Sequence, residues 1–120
     1  MRRTGRGYNI VFEAGESVSS WFALRGKAGA LLYLPGDWTD CDLAVMVTNE
    51  HPENGAWYLL KDGNGEFGVD ANIVAAKSNT ARSLPVMSFA ADYVRLLSHD
   101  GLGTPVPQAA ERVIGVSTKD

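Results

Sequence analysis

The sequence predicts an all-β protein, an antiparallel β-sandwich with a jelly-roll-like arrangement of about eight short strands. Three observations carry that expectation. Short segments alternate apolar and polar residues with a period of two, clusters of Gly, Pro, Asn and Asp recur between them at close spacing, and hardly any stretch shows a credible helical period. At 120 residues the chain has room for one domain and one compact core. Two antiparallel sheets packed face to face are the natural way to bury one face of each strand.

The elements follow in chain order. Tyr8 to Phe12 reads as the first strand, closed by the turn Glu13-Ala-Gly-Glu16. Ser17 to Leu24 sets Val18, Ser20, Phe22 and Leu24 on one face and Ser17, Ser19, Trp21 and Ala23 on the other. Arg25-Gly-Lys-Ala-Gly29 makes the next turn, and the continuous apolar run Ala30 to Leu34 predicts a strand covered on both faces. Pro35-Gly-Asp37 ends it. Leu43 to Thr48 supplies a further strand, with Leu43, Val45 and Val47 on one face, and residues 49–55 form a polar loop. Trp57 to Leu60 and Phe67 to Val69 flank Lys61-Asp-Gly-Asn-Gly65, whose Asp-Gly and Asn-Gly pairs are hairpin signals. The interval from Asp70 to Ala81 is read as one more strand, and Leu84-Pro-Val86 as an edge segment, because Pro85 has no N–H to give a ladder.

The C-terminal third carries the clearest pattern. Tyr93, Arg95 and Leu97 fall on one face of an extended segment, Val94, Leu96 and Ser98 on the other, and a second strand is predicted from about Gln108 to Val116. Between them Gly101 and Gly103 permit positive φ, while Pro105 and Pro107 fix φ and remove two donors. The whole reads as a hairpin.

Composition narrows the function classes. Hydrophobic residues at 45% and charged residues at 21% are ordinary globular values, which argue against a disordered chain. Apolar runs such as Ala28 to Leu34 fall well short of the roughly 18 residues that span a bilayer, so no membrane partner is expected. Met1-Arg-Arg3 is followed by no apolar stretch of the signal-peptide kind, which predicts cytoplasmic synthesis. A net charge of −3 and a pI near 5.3 argue against a dedicated nucleic-acid binder. Only Arg2, Arg3 and Arg6 dissent, in residues 1–9, which read as a flexible basic arm before a single sandwich domain spanning 10–120.

No motif for catalysis, metal or cofactor emerges, and none of the three is expected. Cys41 is the only cysteine, so there is no internal disulfide, and a small packed side chain is its simplest role. His51 before Pro52 and His99 before Asp100 lie in predicted loops with no nucleophile motif around them. Asp37, Asp40 and Asp42 lack the spacing and the distal Glu of a calcium loop and read as solvated turn residues, with Asp37, like Asp62 before Gly63, placed where turns favour Asp for its local backbone hydrogen bonds. The candidate partner-binding residues are Arg2, Arg3, Arg6 and the aromatics Trp38, Trp57 and Tyr58, because Trp, Tyr and Arg are enriched where binding energy concentrates.

The order of the pieces resembles a known family. Ser17-Val-Ser-Ser-Trp-Phe-Ala-Leu-Arg-Gly26, then Leu31-Leu-Tyr-Leu-Pro-Gly-Asp-Trp-Thr-Asp-Cys-Asp-Leu-Ala-Val-Met-Val-Thr48, then Tyr93 to Ser98, then Gly103-Thr-Pro-Val-Pro-Gln-Ala-Ala-Glu-Arg-Val-Ile114 resemble small virion proteins of tailed bacteriophages, of the head decoration or cement type. The resemblance covers roughly Gly15 to Val116, and departs from the family where Thr48-Asn-Glu-His-Pro-Glu-Asn-Gly55 lengthens a loop. It implies a β-sandwich on the outer surface of a capsid, the major capsid protein as partner, and a homo-oligomer, trimeric or dimeric, at a symmetry axis. A tail, connector or fibre-associated component of the same kind of virion is one alternative. A carbohydrate-binding β-sandwich, with Trp38, Trp57 and Tyr58 stacking on a glycan, is another.

Overall fold

The computed structural model describes residues 6–62, 69–70, 72–102 and 104–119. Eleven strands are present among them: β1 (Arg6–Phe12), β2 (Phe22–Ala23), β3 (Gly29–Tyr33), β4 (Cys41–Thr48), β5 (Tyr58–Leu59), β6 (Lys61–Asp62), β7 (Val69–Asp70), β8 (Asn72–Ala76), β9 (Ala81–Ser83), β10 (Tyr93–His99) and β11 (Arg112–Lys119). A short 3-10 helix, Val86–Ala90, precedes β10. One sheet has the order β1-β11-β3-β9, and the other the order β2-β10-β4-β5, with β8 lying beside the first half of β4 and β5 beside its second half. Every pairing is antiparallel. The protein is a β-sandwich, as the periodicity predicts.

The core lies between the sheets and is built from alternate residues of each strand. Ile10 and Phe12 of β1, Leu32 of β3, and Ile114 and Val116 of β11 face Leu43 and Val45 of β4 and Val94 and Leu96 of β10, all buried. Trp38 enters this core from the loop after β3. Its ring meets Phe12 edge-on at 5.1 Å, and its indole N–H donates to the Ala76 carbonyl at 3.2 Å. A large aromatic is thereby buried with its one polar atom satisfied.

From β1 to β4 and again from β8 to β11 the strands alternate between the two main sheets, while β5 stays beside β4 and β6 pairs with β7, and this wiring corrects several local expectations. β10 and β11 do not form a hairpin. Both edges of β10 are taken, by β2 and by β4, so β11 crosses to the other sheet and inserts between β1 and β3. The turn itself is as tight as its composition suggests: Asp100 donates its N–H to Thr104, Val106 donates its own to Ser98, and Gly101 takes a φ of 91°. The crossing is then pinned at Gln108, whose N–H donates to the Glu16 carbonyl while its own carbonyl accepts from Gly15.

The strand expected over Ser17 to Leu24 shrinks to Phe22–Ala23 plus an isolated bridge between Val18 and Leu97. Ser19 is the reason. Its hydroxyl accepts the N–H of Leu96 in place of a backbone carbonyl, which turns Ser19 inward and Ser20 outward. Ser20 then donates its N–H to Val11, and its hydroxyl accepts from the N–H of Val11, so the segment closes the edge of β1.

Other boundaries shift as well. β1 begins at Arg6, so residues 6–9 are strand rather than arm, and residues 1–5 lie outside the described residues. β3 is covered on one face only, since Leu31 and Tyr33 are exposed at 41% and 45%. The hairpin signals near residue 63 are matched by β6 paired with β7, slightly displaced from the expected strands, while residues 63–68 lie outside the described residues. The interval after Asp70 is strand over Asn72–Ala76 and again over Ala81–Ser83. Leu84-Pro-Val86 is no edge strand: Leu84 is buried and Pro85 caps the 3-10 helix.

Candidate interaction faces

Of the residues singled out by sequence, Arg2 and Arg3 lie outside the described residues, and Arg6 opens β1. Trp38 is 4% exposed and locked into the core, so it presents no binding surface; the reading that grouped it with exposed aromatics is overturned. Tyr58 is 63% exposed on β5, beside a cleft of about 330 Å³ that Val47, Leu60 and Ala90 help to line. Trp57 is half-buried. Its indole N–H donates to the Pro52 carbonyl at 3.1 Å, and the Arg95 guanidinium lies 4.5 Å from its ring centre.

That contact belongs to a stripe of aromatic and cationic groups on the outer face of the β2-β10-β4-β5 sheet. Register places Tyr93 opposite Ala23, Arg95 opposite Met46, and Met46 opposite Leu59, all with side chains on the outer side. Trp21 meets Tyr93 edge-on at 5.5 Å, and Arg25 sits 5.6 Å from the Tyr93 ring while forming a 3.3 Å ion pair with Asp92. Arg95 differs from Arg25. It makes no ion pair among the described residues, its Nε is buried with no acceptor, and burial lowers its pKa from the usual guanidinium value. Trp21, Tyr93 and Arg95 were visible in the sequence as members of alternating segments. Nothing local marked them as neighbours of Trp57.

The outer face of the other sheet has a different character. Tyr33, Leu31 and Val113 are exposed, with Val11 opposite Val113, Gly115 opposite Tyr33, and Ser117 opposite Leu31. Tyr33 lies across Gly115, where an added Cβ would stand 3.7 Å from the Tyr33 side chain, and its hydroxyl bonds Ser117 Oγ at 2.9 Å. None of these residues is charged. The result is an uncharged patch on an acidic chain, bordered at Leu31 and Ser117 by a cleft that Lys119 also lines.

The groups with chemical potential elsewhere are engaged, the histidines within their own loops and Asp37 and Asp40 with distant partners. His99 is buried and its Nδ1 accepts the N–H of Gly101, while His51 Nδ1 accepts from Glu53. Asp37 pairs with Arg112 at 3.4 Å, and Asp40 accepts the N–H of Ser78 at 2.8 Å, so the Asp37, Asp40 and Asp42 series does not act as one cluster. No group of three potential metal ligands occurs among the described residues. Burial, reinforced by the neighbouring Asp42 carboxylate, pushes the Cys41 thiol up to about 11, which keeps it protonated and weakly nucleophilic near neutral pH. Asp100 accepts the N–H groups of Leu102 and Thr104, bonds that hold its carboxyl below the usual range.

Comparison with protein-family models, curated proteins and solved structures finds no match to this chain.

Proposed function

We propose that this chain is a non-enzymatic structural virion protein that binds the outer surface of a tailed-bacteriophage head as a decoration or cement protein, with the major capsid protein as its partner. The observation that carries the reading is the uncharged patch of Leu31, Tyr33 and Val113 on the outer face of the β1-β11-β3-β9 sheet. Exposed apolar and aromatic residues free of charge are the composition of the central part of a protein interface, and Tyr is a favoured anchor there.

Two further observations support it. Among the eight strands that build the two main layers, excluding β8, one sheet runs first-eighth-third-sixth and the other second-seventh-fourth-fifth in chain order. That interleaving supports reading the sandwich as a jelly roll, an architecture shared by many viral capsid and lectin domains; the step from architecture to role is analogy. The second support is the resemblance in strand order and turn chemistry from Gly15 to Val116. In this reading Arg2, Arg3 and Arg6 extend the contact to acidic groups on a neighbouring subunit, and a trimer or dimer fits a shell's symmetry axes. Many modest contacts repeated around a shell add through multivalency, which is how a small clamp stabilises a large particle.

The test is add-back: the purified chain is mixed with heads that lack it, and co-sedimentation and particle survival on heating are scored. Saturable binding with added heat resistance is expected for the native chain, and loss of both for a Leu31→Glu/Tyr33→Lys double variant that keeps its circular dichroism. A folded chain that fails to bind heads overturns the reading and directs the same assay to purified tails.

A further inference from the structure

Arg95 is a cation whose surroundings leave it half-served. It is half-buried in the middle of a sheet, its guanidinium carbon lies 4.5 Å from the centre of the Trp57 ring, its buried Nε lacks an acceptor, and among the described residues it pairs with no carboxylate. A partly desolvated guanidinium in that state favours a ligand that brings its own anion to the terminal nitrogens, and a cation held against a ring loses less freedom on engaging a carboxylate. The neighbours on the same face are rings. Tyr93 is two residues away along β10, and Trp21, 42% exposed, extends the row toward β2. Three inter-strand steps separate β2 from β5, so the row is about 14 Å wide.

We propose that this face binds carboxylated glycans, chains of uronic- or sialic-acid type, with Arg95 taking a carboxylate and Trp21, Tyr93 and Trp57 supplying apolar contact for the C–H faces of the sugar rings. Charge complementarity selects the acidic sugar over a neutral one. The sheet itself disfavours an acidic peptide: β10 is paired on both sides, so its backbone groups are spent and an extended peptide lying on this face finds no ladder to join. The site lies on the sheet opposite the uncharged patch and does not depend on the capsid reading.

The full chain is titrated with oligogalacturonate and with sialyllactose, and in parallel with methyl-esterified oligogalacturonate and lactose, while the indole N–H signals of its tryptophans are followed by NMR. The expected result is saturable binding of the acidic sugars that shifts the Trp21 and Trp57 signals and leaves the buried Trp38 signal in place. The neutral counterparts bind about tenfold or more weakly, as the loss of one charge-assisted contact requires. Arg95→Gln reduces acidic-sugar binding by a similar factor, and Arg95→Lys recovers part of it. If Arg95→Gln does not fold, the signal pattern on the native chain and the acidic-to-neutral ratio decide. Absence of binding, equal binding of neutral sugars, or shifts centred on Trp38 overturns the proposal. Equal or tighter binding of polyglutamate, lost in Arg95→Lys, also overturns it and assigns the face to acidic peptides.

Discussion

Two tryptophans with similar sequence surroundings have opposite roles. Trp38 follows Pro35-Gly-Asp37, a turn signal that suggests solvent, yet it fills the core between Phe12 and Ala76. Trp38→Ala is expected to destabilise the fold by about 3–5 kcal/mol, and Trp57→Ala, at a half-buried surface position, by about 1 kcal/mol; urea unfolding of both variants measures the difference. The sequence could not rank them, because the contacts that bury Trp38 come from residues 26 positions before and 38 after it. Asp100 shows the reverse case, in which a role is set locally: its side chain accepts the N–H groups of Leu102 and Thr104 within its own turn. Its lowered pKa means that its stabilisation is present above the unfolded value of about 3.9 and is lost as pH falls through the folded value. Asp100→Asn should therefore lose less thermal stability between pH 7 and pH 3 than the native chain does, as read from melting midpoints. Equal losses would remove Asp100 from the acid limb.

At the level of elements, alternation revealed which segments are extended but not which sheet each joins. β4 and β10 were legible because each sets a row of branched apolar residues on one face, with Val45 and Val47 opposite Leu96 and Val94. β3 misled because an unbroken apolar run looks doubly covered, whereas here one of its faces is the exposed patch. Ser19 broke the expected second strand through a single hydroxyl, a tertiary bond to Leu96 that no spacing encodes. Removing it tests the account. Ser19→Ala strands the Leu96 N–H in the interior, with an expected cost of about 1–3 kcal/mol and faster amide exchange at Leu96. Ser20→Ala, at an exposed position, should cost less.

For the whole molecule, the sandwich was readable and the wiring was not, since a period of two is the same in every strand. The wiring has kinetic weight. β1 pairs with β11 from Arg6 opposite Thr118 to Phe12 opposite Arg112, so segments far apart in sequence are direct neighbours in one sheet. Topologies dominated by such distant pairings fold slowly, and refolding followed by stopped-flow Trp fluorescence is expected on a millisecond-to-second scale. Refolding within microseconds would contradict the alternation of sheets. The position of β11 also bears on how the protein comes into being. As the central partner of both β1 and β3, it is the piece on which one entire layer waits, so a ribosome that has made everything up to Glu111 has made a chain with one layer unassembled. Until Arg112–Lys119 emerges, the apolar faces of β1 and β3 stand open to chaperones and proteases, and a nonsense codon anywhere before Arg112 leaves a chain that cannot complete this layer.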